Sequence, residues 1–516
     1  MRKITAIILT LILTIFCFAG CSKTGEANSA EPSSPAEPAT GQFTEEDASG
    51  AWSDSDTKIE LNGSSVSVSG SGAAVNGSIV TINAGGTYIV LGELQDGQIS
   101  VAATNTDDVR IVLNGVDITN KTGAPIYASQ CHKLTITLAE GTQNILTDGG
   151  SDFQYSDTTN EEPNAALFCK DDLTINGTGT LTVNAGFNNG IGSKDNLLIE
   201  NGNITVNAAN HGLRGNDSVT VSDGSLNITA GNDGIQTNNT NDAFLGWILI
   251  DNGTITIAAG DDGMHADGNL TVNSGTIKIT ESFEGLEASN IIITDGTIDI
   301  VSSDDALNAA GGNDQSGGGG RFGKDNFAAG GAYSIAVSGG SITLYAGGDG
   351  IDSNGTINIS GGTIIAMINS SSDNGALDAD GATTFTGGTI IYGGTGTGSI
   401  PGSNSTQSYV FLNSGIAADK EISVKKDGQT IITFTPTISC RYLSLSSPDI
   451  KSGESYEIYS GDSLISTVTA GTGSNGITGG GHGGMDGTGG MERPGGMERP
   501  EGMGKPGVMI TPGGRN

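Results

Sequence analysis

Apolar and polar residues alternate along most of this chain, and the alternation breaks at short, regular intervals. Leu173/Ile175, Leu197/Ile199, Val219/Val221, Ile248/Ile250, Leu270/Val272, Ile291/Ile293, Ile335/Val337 and Ile357/Ile359 are apolar pairs two residues apart. A glycine opens the next segment, with an aliphatic residue two positions on, as in Gly202/Ile204, Gly224/Leu226, Gly253/Ile255, Gly275/Ile277 and Gly296/Ile298. Alternation with period two predicts strands, and helical periodicity is missing. The glycines mark tight turns with a left-handed backbone.

A third segment completes each unit. It reads acid or Asn, small, aliphatic, polar: Asp233-Gly234-Ile235-Gln236, Asp262-Gly263-Met264-His265, Glu284-Gly285-Leu286-Glu287, Asp305-Ala306-Leu307-Asn308 and Asp349-Gly350-Ile351-Asp352. Asn189-Gly190-Ile191 and His211-Gly212-Leu213-Arg214 are earlier copies, and Gly375-Ala376-Leu377-Asp378 is a looser last one. The commonest step between copies is about 22 residues, which means stacked units. One unit is three short strands and three turns. Strands rise ~3.3 Å per residue and cannot return on themselves, so three of them form a coil, and coils stack by parallel pairing ~4.8 Å apart. The expected class is all-β, a right-handed parallel β-helix of about nine coils of ~22 residues. The helix is expected over 139–392, with an N-terminal β cap and first irregular coils over 57–138 and a β cap over 393–470. In the second cap Glu421–Lys425 and Thr430–Phe434 flank a hairpin turn at Asp427-Gly428.

Stacking places equivalent residues one above another. Asp233, Asp262, Glu284, Asp305 and Asp349 form one column, and Gln236, His265, Glu287, Asn308, Asp352 and Asp378 form the next. Like charges on neighbouring strands repel unless protonated or bridged by a cation. Oxygen-rich carboxylate clusters suit calcium, so a calcium column on the flank is expected. His211 and His265, with no Cys nearby and no paired His, read as surface residues rather than zinc ligands.

Composition adds boundaries. The 516 residues include 84 Gly, as a turn-dense β protein requires, and the formal net charge is −35. That charge excludes nucleic acid and anionic lipid surfaces as partners. Beyond Cys17 and Cys21, only Cys131, Cys169 and Cys440 remain, which is not a disulfide framework. Residues 1–20 read as a signal peptide: Arg2 and Lys3, an apolar run to Phe18, then Ala19-Gly20. Phe18-Ala19-Gly20-Cys21 resembles a bacterial lipobox, so Cys21 is expected to carry lipid and to anchor an extracellular protein, with the lipid as its sole membrane contact. Residues 21–56, rich in Ser, Ala, Glu and Pro, read as a linker, and 471–516, rich in Gly, Met and Pro, as a disordered tail. A monomer is expected.

In order along the chain, Thr81-Ile82 with Gly86-Thr87-Tyr88, Asp96-Gly97-Gln98-Ile99, Val112-Leu113-Asn114-Gly115-Val116, Leu134-Thr135-Ile136-Thr137-Leu138 and the Asp-Asp-Gly-Met-His repeat resemble the secreted carbohydrate-binding β-helix proteins of clostridial type. The resemblance covers roughly Ile59–Gly461. It implies a polysaccharide-lyase-like right-handed β-helix, bound calcium, and binding of plant cell-wall polysaccharide, either cellulose or an acidic pectin-like sugar. Carried onto this chain, it suggests Asp262, Glu284, Glu287, Asp305, Asp349, Asp352 and Asp378 as calcium ligands.

Two insertions interrupt the repeats. Thr237–Trp247 carries Phe244 and Trp247, and Gly311–Gly331 carries Arg321; these three are weak candidates for sugar contact. No catalytic residue is assigned. A calcium-dependent lyase needs a base amid the acids, and Arg214 and Lys194 stand away from the densest of them. Glycoside hydrolysis would need a carboxylate pair, but Asp261/Asp262 and Asp304/Asp305 are adjacent residues, which on a strand point to opposite faces. A non-catalytic surface scaffold or adhesin is the remaining class.

Overall fold

The computed structural model describes residues 44–239, 244–310, 333–370, 374–396 and 398–471. They are β throughout except for single helical turns at Glu45–Ala48 and Gly150–Asp152. Among the described residues, 37 strands hydrogen-bond into one long, mostly parallel sheet, and four more form a separate antiparallel sheet.

Through the repeats the long sheet runs as three ladders. The first carries the acidic repeat and joins Asn189–Ser193, Leu213–Gly215, Ile235–Thr237, the starts of Met264–Val272 and Leu286–Ile293, then Leu307–Ala309, Ile351–Ser353 and Asp378–Ala379. The second joins Asp172–Gly177, Asn196–Ile199, Ser218–Val221 and Trp247–Ile250 to the later segments of the same kind. The third joins Thr180–Ala185, Asn203–Ala208, Ser225–Ala230, Thr254–Ala259 and Thr276–Glu281. The rungs pair in phase, apart from register shifts after Ile257 and after Ala266. Ile191, Leu213, Ile235, Met264, Leu286, Leu307 and Ile351 therefore stack directly on one another. Alternate strand residues point to opposite faces, so in-phase stacking turns the alternating pattern into one continuous buried apolar cluster from Ile59 to Tyr442.

Glycine is required in the turn ahead of the third ladder for two reasons. Gly275 has φ +100°, and a Cβ there would lie 2.8 Å from the Gly253 carbonyl oxygen of the rung before. The first rung departs from the pattern: the left-handed glycine is Gly177, not Gly179.

The N-terminal end holds parallel coils as well as hairpins. Within 57–138, Gly86–Leu94 pairs in parallel with Asp108–Thr119, which pairs in parallel with both Lys133–Leu138 and Gln143–Thr147. These strands already belong to the stack; their connections vary in length, which hides the 22-residue step. The antiparallel hairpins Thr57–Gly63/Val66–Ser69 and Ala73–Asn76/Ile79–Ile82 lie at this end. At the other end Thr389–Gly394 turns to antiparallel pairing with Tyr442–Ser446, which also takes Tyr409–Leu412 and so occupies an edge that would otherwise stay unpaired. Ile422–Lys426 and Gln429–Phe434 meet at Asp427 and Gly428, both left-handed, as a two-residue hairpin turn demands.

Part of the expected linker is built into the fold. Asp47 is buried, ion-pairs with Lys133, and accepts hydrogen bonds from the Thr44 N–H (2.9 Å) and the Thr174 hydroxyl (2.9 Å). Burial works against its charge, but these donors outweigh it and hold the carboxyl below its usual range. Cys131, Cys169 and Cys440 are free and buried. Cys21, the signal segment and the Gly/Met/Pro tail lie outside the described residues.

Candidate functional site

The acidic repeat sits where the third ladder turns into the first. The small residue after each acid is there for lack of space: a Cβ on Gly263 would lie 2.5 Å from the Gly285 carbonyl oxygen and 2.4 Å from Ile279 Cδ1. That tight corner draws successive acids together. Asp233 Oδ1 accepts the Asp262 N–H (3.2 Å), and Asp262 Oδ1 accepts the Glu284 N–H (3.3 Å). Asp305 Oδ1 accepts the Asp349 N–H (2.5 Å), and Asp349 Oδ1 accepts that of Gly375. Asp233, Asp262, Asp305 and Asp349 thus each spend one oxygen on the backbone of the next rung.

The outer column is in register as the repeat requires: Gln236, His265, Glu287, Asn308, Asp352 and Asp378 pair rung by rung. Two kinds of cluster result. In the upper one, the half-buried Asp305, Asp349 and Asp352 bring carboxylate oxygens within 4.8 Å of one another. Burial, then the charges of Asp352, Asp349 and Asp304, push the Asp305 carboxyl well up. Asp378 is in register with Asp352. In the lower cluster, Asp262, His265 and Glu287 converge, nearly fully buried. His265 Nδ1 contacts Glu287 and lies 3.1 Å from Asp262 Oδ2, and Nε2 lies 3.7 Å from Asp267.

The two carboxyls of the lower cluster titrate in opposite directions. Burial and the neighbouring Glu287 and Asp233 charges push Asp262 up, against the His265 hydrogen bond. Burial also opposes ionisation of Glu287, yet the hydrogen bond and charge of His265 hold it below its usual range. The imidazole itself is raised: burial disfavours its charge, and the three acids overcome that. His265 and Glu287 are therefore an imidazolium–carboxylate pair. Glu284, between the clusters, accepts from Asn308 Nδ2 at 2.9 Å, and burial with the charges of Glu287, Asp262 and Asp305 pushes it well up.

The sequence places these acids on two columns, but it puts the histidines on the surface. They are buried instead: His265 is 8% exposed, and His211 is 6% exposed with Nδ1 3.0 Å from Asp233. Asp261 also departs from expectation. It lies in the corner rather than on a strand, so it and its neighbour Asp262 reach the same space, with Asp233 as the third member of an all-oxygen group. Arg214 pairs in register with Gln236, which is one rung from His265, and burial draws its guanidinium below the usual range against the charges of Asp233 and Asp267.

Residues 76–326 match the model of a family described as carbohydrate-binding domain-containing protein. A carbohydrate-binding domain-containing protein of Acetivibrio thermocellus is 46% identical over 129 residues, which cover 25% of this chain and 45% of that relative. Just under half of this chain is thus similar to this carbohydrate-binding family. It spans less than half of the curated relative's length. A solved gadolinium derivative of the polysaccharide lyase-like protein from C. thermocellum is 39% identical, covering 46% of this chain and 96% of that one, with a TM-score of 0.44.

The span matched to the carbohydrate-binding family contains the lower cluster and Asp305, but not Asp349, Asp352 or Asp378. Of the weak sugar-contact candidates, Trp247 is half-buried at the start of its strand, paired with Ser218, and Phe244 is 88% exposed. Arg321 lies outside the described residues.

Proposed function

We propose that the three ladders wind as one right-handed parallel β-helix and that the chain is a calcium-stabilised, polysaccharide-binding protein. It is held outside the cytoplasm by lipid on Cys21, as a monomer, and recognises plant cell-wall polysaccharide. The family match over residues 76–326 carries the carbohydrate reading. The net charge of −35 turns the protein away from nucleic acid.

Calcium is supported by the donor chemistry. Asp305, Asp349 and Asp352 offer oxygen alone, at mutual distances a hard cation can span. Neighbouring Asn308, in register with Asp352, keeps a buried Oδ1 without a hydrogen-bond partner. Asp378 extends the set by one rung. Asp233, Asp261 and Asp262 form a second all-oxygen group. Glu287 fits less well, because His265 already supplies its positive charge, and Glu284 contributes through Asn308. Bound there, calcium would neutralise the repulsion between stacked carboxylates and lock the rungs together.

Isothermal titration of the chelator-treated protein with calcium tests the ion. Saturable binding that Asp349→Asn weakens at least about tenfold is expected, and absence of heat at millimolar calcium would remove the ion from the account.

A further inference from the structure

We propose that three aromatic residues outside both clusters, Phe153, Tyr155 and Phe187, form a stacking platform for a neutral glucan chain; this deepens the polysaccharide-binding reading and rests on it. Seventeen residues, 148–164, separate the strand Gln143–Thr147 from Ala165–Cys169. In later rungs the same corner takes only a few residues, as between Ala208 and Leu213. The added loop carries Phe153 and Tyr155, and the corner of the next rung carries Phe187.

The geometry is built from the core outward. Phe153 packs on a buried cluster of Ala124, Tyr127, Ala165 and Phe168. Phe187 stacks on Phe153 with centroids 4.3 Å apart and planes 3° from parallel, and Tyr155 meets Phe187 edge-on at 5.5 Å. Asp148 fixes the support: its carboxylate accepts from the N–H groups of Gly150 (2.9 Å), Gly186 (2.8 Å) and Phe187 (3.2 Å). It thereby ties the loop to the next rung. All three rings are half-buried, not enclosed.

Aromatic residues held rigidly but left partly in solvent suit a partner with an apolar face and a polar rim. A pyranose ring has both: its axial C–H bonds form the face and its hydroxyls the rim. Phe153, Tyr155 and Phe187 lie inside the carbohydrate-binding family span. Charge selects among sugars. The nearby cations Lys170 and Lys194 are paired with Glu162 at 2.7 and 3.4 Å, and Asp152 and Glu161 are exposed on the same loop. A polyuronate would meet negative charge here, whereas a neutral glucan meets none of its own sign.

The test is affinity electrophoresis of the native protein through gels containing hydroxyethyl cellulose or polygalacturonate, with Phe187→Ala, Tyr155→Ala and Phe187→Trp alongside. Wild type and Phe187→Trp should be retarded by hydroxyethyl cellulose. Each alanine variant should lose affinity by at least about tenfold while keeping its calcium-dependent melting temperature, which shows that the stack is still folded. Equal retardation of wild type and both alanine variants would overturn the platform and leave polysaccharide binding standing. No retardation of wild type by either polymer would overturn both.

Discussion

Replacing His265 with Gln tests whether the lower cluster is a charge-balanced structural unit. The imidazole is 8% exposed, and its Nδ1 serves both Glu287 and Asp262. Glutamine fills much of the space but supplies no cation. Breaking a buried ion pair by removing one partner costs about 3–5 kcal/mol, most of it from the charge left behind. Here one carboxyl can take up a proton in place of the lost cation, so the lower end, about 3 kcal/mol, is expected in chelator at neutral pH. Adding Glu287→Gln removes the stranded charge and should restore more than half of the loss. Urea unfolding followed by circular dichroism gives the midpoints, with hydrogen exchange around Ala266 and Ala288 as a local reading, since stacked rungs need not unfold in one step.

The sign of the pH dependence follows from the shifts. The folded His265 holds its proton to a higher pH than the unfolded chain does. Its contribution is complete below about pH 6.5 and fades as pH rises through the raised value. Glu287, held low, contributes above the ordinary carboxylate range and loses that as pH falls through its lowered value. The gap between wild type and His265→Gln should therefore narrow in alkali. An unchanged midpoint in the single variant, or a double variant weaker than the single, would refute the reasoning.

Three other outcomes follow. Burial, then the charges of Asp217, Asp172 and Asp171, push Asp195 up to about 6; its cost to the fold is present above that pH and relieved as pH falls through it, so Asp195→Asn should stabilise at pH 7 by about 1 kcal/mol, a full shift of about 3 kcal/mol being discounted for partial exposure, and a variant no more stable than wild type would contradict it. Gly263→Ala should lower stability by about 1–3 kcal/mol in a urea titration, because the backbone oxygen of Gly285 cannot move aside as a side chain would; no loss would mean that the corner has slack. Chelation should lower the melting temperature of wild type, since a ligand bound only by the folded state stabilises it, and Asp349→Asn should reduce that response; an identical response in the two would exclude Asp349 as a ligand.

Much of the ladder scaffold is legible in the chain because stacking converts a sequence period directly into register. Once Asp262, Glu284, Asp305 and Asp349 stand at equivalent places in a repeat, in-phase pairing brings them onto one column. What the period cannot show is depth. The polar position of the repeat looks like solvent in the sequence, yet His265 and Glu287 are buried there. The period also fails where connections vary in length, as over 57–138, where the alternation shows strands but not the 22-residue step. Nor does it reach contacts made outside the repeat. Asp47 docks on Lys133 and Thr174 across more than 80 residues of chain, and Phe187 meets Phe153 only because a loop inserted one rung earlier folds against it. Composition reads such segments as linker and loop, since nothing local records the partner.

The most direct test of the account is co-sedimentation of the protein beginning at Ser22 with cellulose and with calcium-gelled polygalacturonate, with and without chelator, while following the ultraviolet absorbance of unsaturated uronate. Retention on polysaccharide, weakened by chelation, with no growth in absorbance is expected. Growth in absorbance would make the protein a lyase, and failure to sediment with either polymer would contradict polysaccharide binding altogether.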